Sequence, residues 1–513
     1  MKMVFTALLF IVLCQAVPAA DWLTFSADPQ RSGWARGEEI LNASNVKDLK
    51  LEWKIKLPVT VQELHALTTP VIVNPVTTNR GFKEIAIVAG ADNQLWAIDT
   101  DAGKVFWTKQ FTIQGTPKQR PGWLCPNALT ATPVIDKATR SVYVVSSDGI
   151  LHHLNLVNGE DVKPPKQFTP PFAKPYSLAI VGGFLVAPIG QGCGGNKNGV
   201  FSMDLAKDDR PVTEFRSTTT GGAGIWGRAG AATDSKGRAW VETGDGPFDP
   251  ATGKWADSIL ALDSKTMKLI DYYTPANRAW ITKKDLDMGC MSPVVFRFKK
   301  WELVAGAGKE GVLYLLDADK PGGEDHRSPL YRSPLITNED VDFAGRGFWG
   351  ALASFEDSEG TRWLYLPAWG PPANTAPKFP LSHGATQGGS IMAFKIVEKD
   401  GKPYPEAAWI SRDMHAPEPP VIVNGVVFAI ASGEYLRQVD DNGRLVDSKY
   451  RGERKVHDAV LYAFDAKTGK EIWNSGKTIT GFTHFGGLAV ANGRVYMTSF
   501  DGNVYAFSTG PQK

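Results

Sequence analysis

Five side chains of complementary chemistry stand in one stretch of the chain, Gly224 to Asp317: Trp226, Asp245, Asp285, Asp287 and Lys309. Carboxylates are hard oxygen ligands for cations of the calcium type. A carboxylate placed against a hydroxyl can take its proton, an ammonium group balances a developing oxyanion, and a Trp offers a flat apolar face. Together they suit a planar anionic cofactor beside a metal ion. Each also has a plainer role: Trp226 as core, Asp245 of Thr-Gly-Asp-Gly in a tight turn, Asp285 and Asp287 as solvated loop charges, Lys309 as a turn residue ahead of Gly311. Only their joint placement favours chemistry. Further candidates are Cys125, Cys290, the glycine-rich loop Gly190 to Gly199 with Asn196 and Asn198, and the histidines His65, His415 and His484.

The elements that must position these residues are legible as repeats. LWAIDTDAGKVFW (Leu95 to Trp107) returns as LYAFDAKTGKEIW (Leu461 to Trp473), and looser copies bring the count to eight. Each copy is an apolar strand, a polar turn with Gly, and a second strand that often ends in Trp, which is a hairpin. Upstream of each hairpin stands another pair of short strands. These begin at Thr68, Ala131, Ser177, Ala229, Met291, Ala351, Pro419 and Gly487. Four strands per unit and eight units predict an all-β, eight-bladed β-propeller of four-stranded antiparallel blades. The last unit has three strands, and Leu51 to Leu57 supplies the fourth, closing the ring without a free edge. The recurrent Trp residues then serve blade-to-blade packing.

In such blades the strands run A to D from the centre outward. The D-to-A and B-to-C connections therefore emerge on one face, and all the candidate residues above fall on it. Two long loops, Pro371 to Gly389 and Glu434 to His457, shape a pocket or decorate the rim, and Asp21 to Asn45 is expected to wrap the outside.

Composition agrees with many short strands and turns: 43% hydrophobic residues, 52 Gly, 34 Pro and 16 Trp in 513 residues. A net charge of +2 gives no electrostatic footprint for nucleic acid or anionic lipid. Residues 1–20 read as a signal peptide: Lys2, an apolar run from Val4 to Leu13, then small residues up to Ala20. The expectation is a periplasmic or secreted protein with no membrane span, residues 21–513 forming a single domain. Cys125, Cys193 and Cys290 remain after cleavage; any one pair could bridge, and the spacing does not choose among them. No Cys-x-x-Cys-His run is present, so no covalently attached haem is expected.

The repeated frames resemble those of the quinoprotein dehydrogenases, which use pyrroloquinoline quinone with calcium or a lanthanide. GIWGRAGAATDSKGRAWVETGDG is similar to the family segment in which a Trp lies under the quinone and a polar residue ligates the metal, here Trp226 and Asp245. DLDMG resembles the loop with the catalytic aspartate, here Asp285, and places Asp287 at the extra carboxylate of lanthanide-using members. GKEGVLYLLD resembles the segment whose Lys or Arg bonds the quinone oxygens, here Lys309. The run from Asp287 to Asp317 is also similar to polyvinyl-alcohol dehydrogenases and related secreted propellers. The chain departs from the pattern in three places. The adjacent cysteine pair that caps the quinone is reduced to Leu124-Cys125, leaving Cys125 as the cofactor-side residue. The arginine expected shortly after that pair is missing from PNALTATP. The metal-binding Glu falls on Gly194, with Asn196 and Asn198 as nearest substitutes. The resemblance implies oxidation of an alcohol or sugar-like hydroxyl, with electrons passed to a separate acceptor such as a cytochrome. The departures motivate the alternative, a non-catalytic propeller acting as a binding or outer-membrane assembly scaffold.

Overall fold

Each hairpin frame folds through its own turn chemistry. In LYAFDAKTGKEIW the Asp465 carboxylate accepts the backbone N–H groups of Lys467 and Thr468 and the Thr468 hydroxyl. Gly469 then closes the turn at a φ of 71°, a backbone region that favours glycine. The glycine serves a second purpose. A Cβ at Gly469 would lie 2.4 Å from the ring of Trp409, which ends the preceding blade and donates its indole N–H to the Ala466 carbonyl. Trp107 docks in the same way on Gly159, with its N–H on Leu156, and Trp53 on Gly103, with its N–H on Thr100. In these three blades the Trp is thus a latch that ties the outer strand to the next blade's turn.

The computed structural model describes residues 20–510; all of the expected signal peptide except Ala20 lies outside the described residues. Eight sheets form the ring, built mainly of antiparallel strands adjacent in the chain, with the last closed by a strand from the other end of the chain. The first blade comprises Val71–Thr78, Gly81–Gly90, Gln94–Asp99 and Lys104–Gln110. The last comprises Leu488–Ala491, Arg494–Thr498 and Asn503–Ser508, completed by Lys50–Lys56 from the other end of the chain. Middle strands are buried on both faces, as in Arg362–Trp369, whereas outer strands such as Lys104–Gln110 alternate. The expected architecture and its closing strand are both observed.

The segment after Ala20 does not wrap the outside. It threads the central channel and bonds to the innermost strand of blade after blade: Trp22 with Ile72, Leu23 with Ile135, Pro29 with Thr233, Gln30 with Val295, Ser32 with Ser354 and Gly33 with Ile422. Arg31 is fully buried and donates to the carbonyls of Ala231 and Phe25 and to the Thr24 hydroxyl, while Thr24 bonds Leu178 of the third blade. The physical reason is that innermost strands leave backbone groups facing the channel, and an extended segment satisfies them.

Of the long loops, 371–389 goes outward: Leu381–Ser382 pairs in parallel with Trp409–Ile410 on the outer strand of the sixth blade. The loop from Glu434 to His457 turns inward over the candidate site. Among the described residues no helix is long and apolar enough to cross a membrane.

Candidate functional site

Three glycine-rich connections interlock at the centre of one face. Trp226 donates its backbone N–H to Gly289, Gly244 donates to Gly224, and Lys309 to Asp287. Gly289 is required for this approach: a Cβ there would lie 2.5 Å from both the Gly224 carbonyl and the Gly244 nitrogen. Trp226 enters from the connection into the fourth blade, Asp245 from the loop after Arg238–Glu242, and Lys309 from the loop after Trp301–Ala307. Asp285 and Asp287 follow the short helix Arg278–Lys284, which ends with Asp285 in a left-handed conformation.

All five residues expected from the sequence line one cavity of about 710 Å³. One oxygen from each of Asp245, Asp285 and Asp287 lies within 4.8 Å of the others, a spacing at which three hard ligands can share one cation. The Lys309 ammonium sits 2.8 Å from Asp285 Oδ1, 3.6 Å from Asp287 Oδ2 and 5.3 Å from the centre of the Trp226 ring. Asp287 is buried, and its Oδ1 has no hydrogen-bond partner among the described residues.

Burial, reinforced by Asp285 and Asp245 and only partly offset by Lys309, pushes the Asp287 carboxyl up to about 7. Asp245 is raised by burial and by Asp285. Burial opposes the Lys309 charge, but Asp287 and Asp285 outweigh it and hold the ammonium above the usual lysine range. The cluster therefore carries more negative charge than its one cation balances.

Asn196 lines the same cavity, with its amide NH2 bonded to the Pro171 and Cys193 carbonyls. Asn198 is buried, bracing the loop through Gly192 and Gly222. Cys125 is joined to Cys193 across a Cα separation of 5.3 Å, and Cys290 is a free, buried thiol. The bridge ties the Leu124 segment to the glycine-rich loop at the rim. His65 and His484 meet at 5.7 Å, with His484 2.8 Å from the buried Glu434, and His415 pairs with His457.

Several lining residues were not expected. Trp349 meets Trp226 edge-on at 5.6 Å and stacks on Trp369 at 4.6 Å, with Phe485 beside them. The signal existed: Gly347-Phe-Trp-Gly350 repeats Gly224-Ile-Trp-Gly227 at the corresponding connection two blades on. Arg451 of the inward loop pairs with the buried Glu434 at 2.6 Å and stands 4.9 Å over the Trp123 ring, pinning the loop across the cavity. No local pattern marked that pairing.

A family model described as outer membrane protein assembly factor BamB matches residues 457–512, the outer hairpin of the seventh blade and the last blade. No curated protein sequence matches the chain significantly. Among solved structures, the quinohemoprotein alcohol dehydrogenase of Comamonas testosteroni is similar with a TM-score of 0.56 and 16% identity, over 96% of this chain and 81% of that one. A quinohemoprotein alcohol dehydrogenase from Pseudomonas putida HK5 gives 0.62 and 13%, over 96% and 81%. A europium-containing methanol dehydrogenase gives 0.62 and 13%, over 95% and 98%. The propeller with its closing strand, the repeats and these likenesses together give this chain the fold of the quinoprotein alcohol dehydrogenases.

Proposed function

We propose that the protein is a quinoprotein dehydrogenase that oxidises an alcohol or sugar-like hydroxyl, using pyrroloquinoline quinone and a bound calcium or lanthanide ion. The observation that carries the reading is the convergence of three carboxylates, the Lys309 ammonium and the Trp226 face in one cavity. The donor set fits a hard cation: it offers only carboxylate oxygens, and the buried Asp287 Oδ1 lacks a partner among the described residues. Asp245 and Asp287 would hold the cation, with Asn196 on the neighbouring wall as a further oxygen donor. Trp226 would support the quinone from one side, Lys309 would face its oxygens, and the Cys125–Cys193 bridge would bound it at the rim. When bound, quinone and cation supply a two-electron acceptor polarised by a Lewis acid.

Asp285 is the residue placed to act on substrate. Its side chain is about half exposed to the cavity, and Lys309 orients it through the 2.8 Å contact. Its carboxylate would accept the hydroxyl proton of the alcohol as the C–H hydride departs. The apolar walls formed by Trp349, Trp369 and the inward loop limit water around that carboxylate. Electrons would leave to a separate acceptor such as a cytochrome. Export to the periplasm or beyond, with residues 1–20 removed and residues 21–513 acting as one domain, completes the reading.

The test is reconstitution of purified protein with the quinone and calcium or a lanthanide, followed by dye-linked oxidation of a panel of alcohols. Turnover should require both additions, and Asp285→Asn should retain quinone while losing turnover. No turnover with any cation would overturn the proposal. It would favour instead a non-catalytic scaffold, the reading suggested by the match of residues 457–512 to the BamB model.

A further inference from the structure

A second, smaller space of about 30 Å³ lies in the channel between Phe485, which it shares with the main cavity, and Phe25 of the threaded segment. That is room for a water or two, or for one small ion. Its walls present the Arg228 guanidinium and the Thr69 hydroxyl rather than carboxylates. Arg228 Nε, Thr69 Oγ1 and His65 Nε2 all face it, are buried, and have no hydrogen-bond partner among the described residues.

The electrostatics around this space are lopsided. Arg228 forms no ion pair among the described residues; its guanidinium lies 4.2 Å over the Phe485 ring and 5.6 Å over Tyr176. Lys174, on the other side of Tyr176, is 5% exposed, and its ammonium has only the Leu124 carbonyl at 3.0 Å. The two nearby carboxylates do not restore balance. Glu434 is committed to Arg451 and to His484 at 2.8 Å. Glu418 is buried beside Gly486, and burial pushes its carboxyl up to about 7. Arg228 is half-buried with its Nε unpartnered, and burial holds Lys174 well below the usual lysine range; a paired charge beside Arg228 relieves that cost.

We propose that this space binds a small monovalent anion of the halide type between the Arg228 guanidinium and the Thr69 hydroxyl, with His65 closing it. A space of this size with one guanidinium and one hydroxyl suits a single-atom anion better than sulfate or phosphate. The anion would fix Arg228 against Phe485, and so would hold one aromatic of the main cavity in place from below.

The full chain, exchanged into gluconate at constant ionic strength, should gain stability saturably on addition of chloride or bromide. At about a hundredfold excess over Kd the Tm should rise by about 2–3 °C for a chain of this size. Sulfate at the same ionic strength should leave the Tm unchanged. Bromide-soaked crystals should show one anomalous peak between Arg228 and Thr69. Thr69→Val keeps every charge and removes only the hydroxyl, and should raise the apparent Kd for chloride about tenfold. Arg228→Met should abolish the response; if that variant does not fold, Thr69→Val and the bromide peak still decide. A Tm indifferent to halide, or a space holding only water in bromide, would refute the site.

Discussion

Replacing Asp287 with Asn should stabilise the metal-free protein at alkaline pH while removing a ligand of the proposed cation site. Asp245 and Asp285 each present an oxygen within 4.8 Å of one on Asp287, and at an effective dielectric of 20 each repulsion is worth about 3.5 kcal/mol. Lys309 at 3.6 Å returns about 4 to 5 kcal/mol of attraction. The neighbours therefore oppose the Asp287 charge by about 2 kcal/mol, less whatever solvent screens at the half-exposed Asp285, and burial adds the rest. Burial and this repulsion together raise the carboxyl from 3.8 to about 7, which corresponds to about 4 kcal/mol. Because the folded-state pKa lies above the unfolded value, the folded chain holds the extra proton between about pH 4 and pH 7. Below that window the charge costs nothing, and stability falls as pH rises through it. Asn imitates the protonated form. Chemical denaturation without metal should show Asp287→Asn close to wild type at pH 4 and more stable by about 2–4 kcal/mol at pH 8. With saturating lanthanum or calcium the order should reverse, since only wild type gains binding free energy. If Asp287→Asn is equally destabilised at both pH values, or retains the cation-induced shift, the electrostatic reasoning fails.

Gly289→Ala should force the Gly224 and Gly244 segments apart, because its Cβ has no room at 2.5 Å; a loss of about 1–3 kcal/mol in denaturant titration and a weakened cation-induced Tm shift are expected together. Cys193→Ser opens a bridge between residues 68 apart, for which chain entropy predicts a loss of up to about 4 kcal/mol, read as a lower denaturant midpoint equal to that of reduced wild type. Arg31→Met leaves the Ala231 and Phe25 carbonyls without their donor, so limited proteolysis should cut the threaded segment in the variant well before it cuts wild type.

The blades were legible because their turn chemistry is local, an Asp that caps the turn and a Gly that makes it, and because the frame carrying them recurs along the chain, although Trp107 and Trp409 dock on glycines of the following blade, Gly159 and Gly469. Strand order then put Trp226, Asp245, Asp285, Asp287 and Lys309 on one face, and all five line one cavity. The threaded segment left no such trace. Its contacts are backbone bonds to innermost strands and one buried arginine, and neither has a periodicity. Pairing Cys125 with Cys193 required knowing that the loops of the second and third blades meet at the rim. Arg451 reaches Glu434 and Trp123 only through a loop whose path no repeat dictates. Trp349 was the exception, marked by its own echo of the Trp226 motif.

The most direct test of the account is the stoichiometry of quinone binding, followed by absorbance and calorimetry with and without added cation. One quinone per chain, bound tightly only when calcium or a lanthanide is present and lost in both Trp226→Ala and Lys309→Ala, is the predicted result. Absence of quinone binding by the wild-type protein under every cation, or binding indifferent to both substitutions, would contradict it.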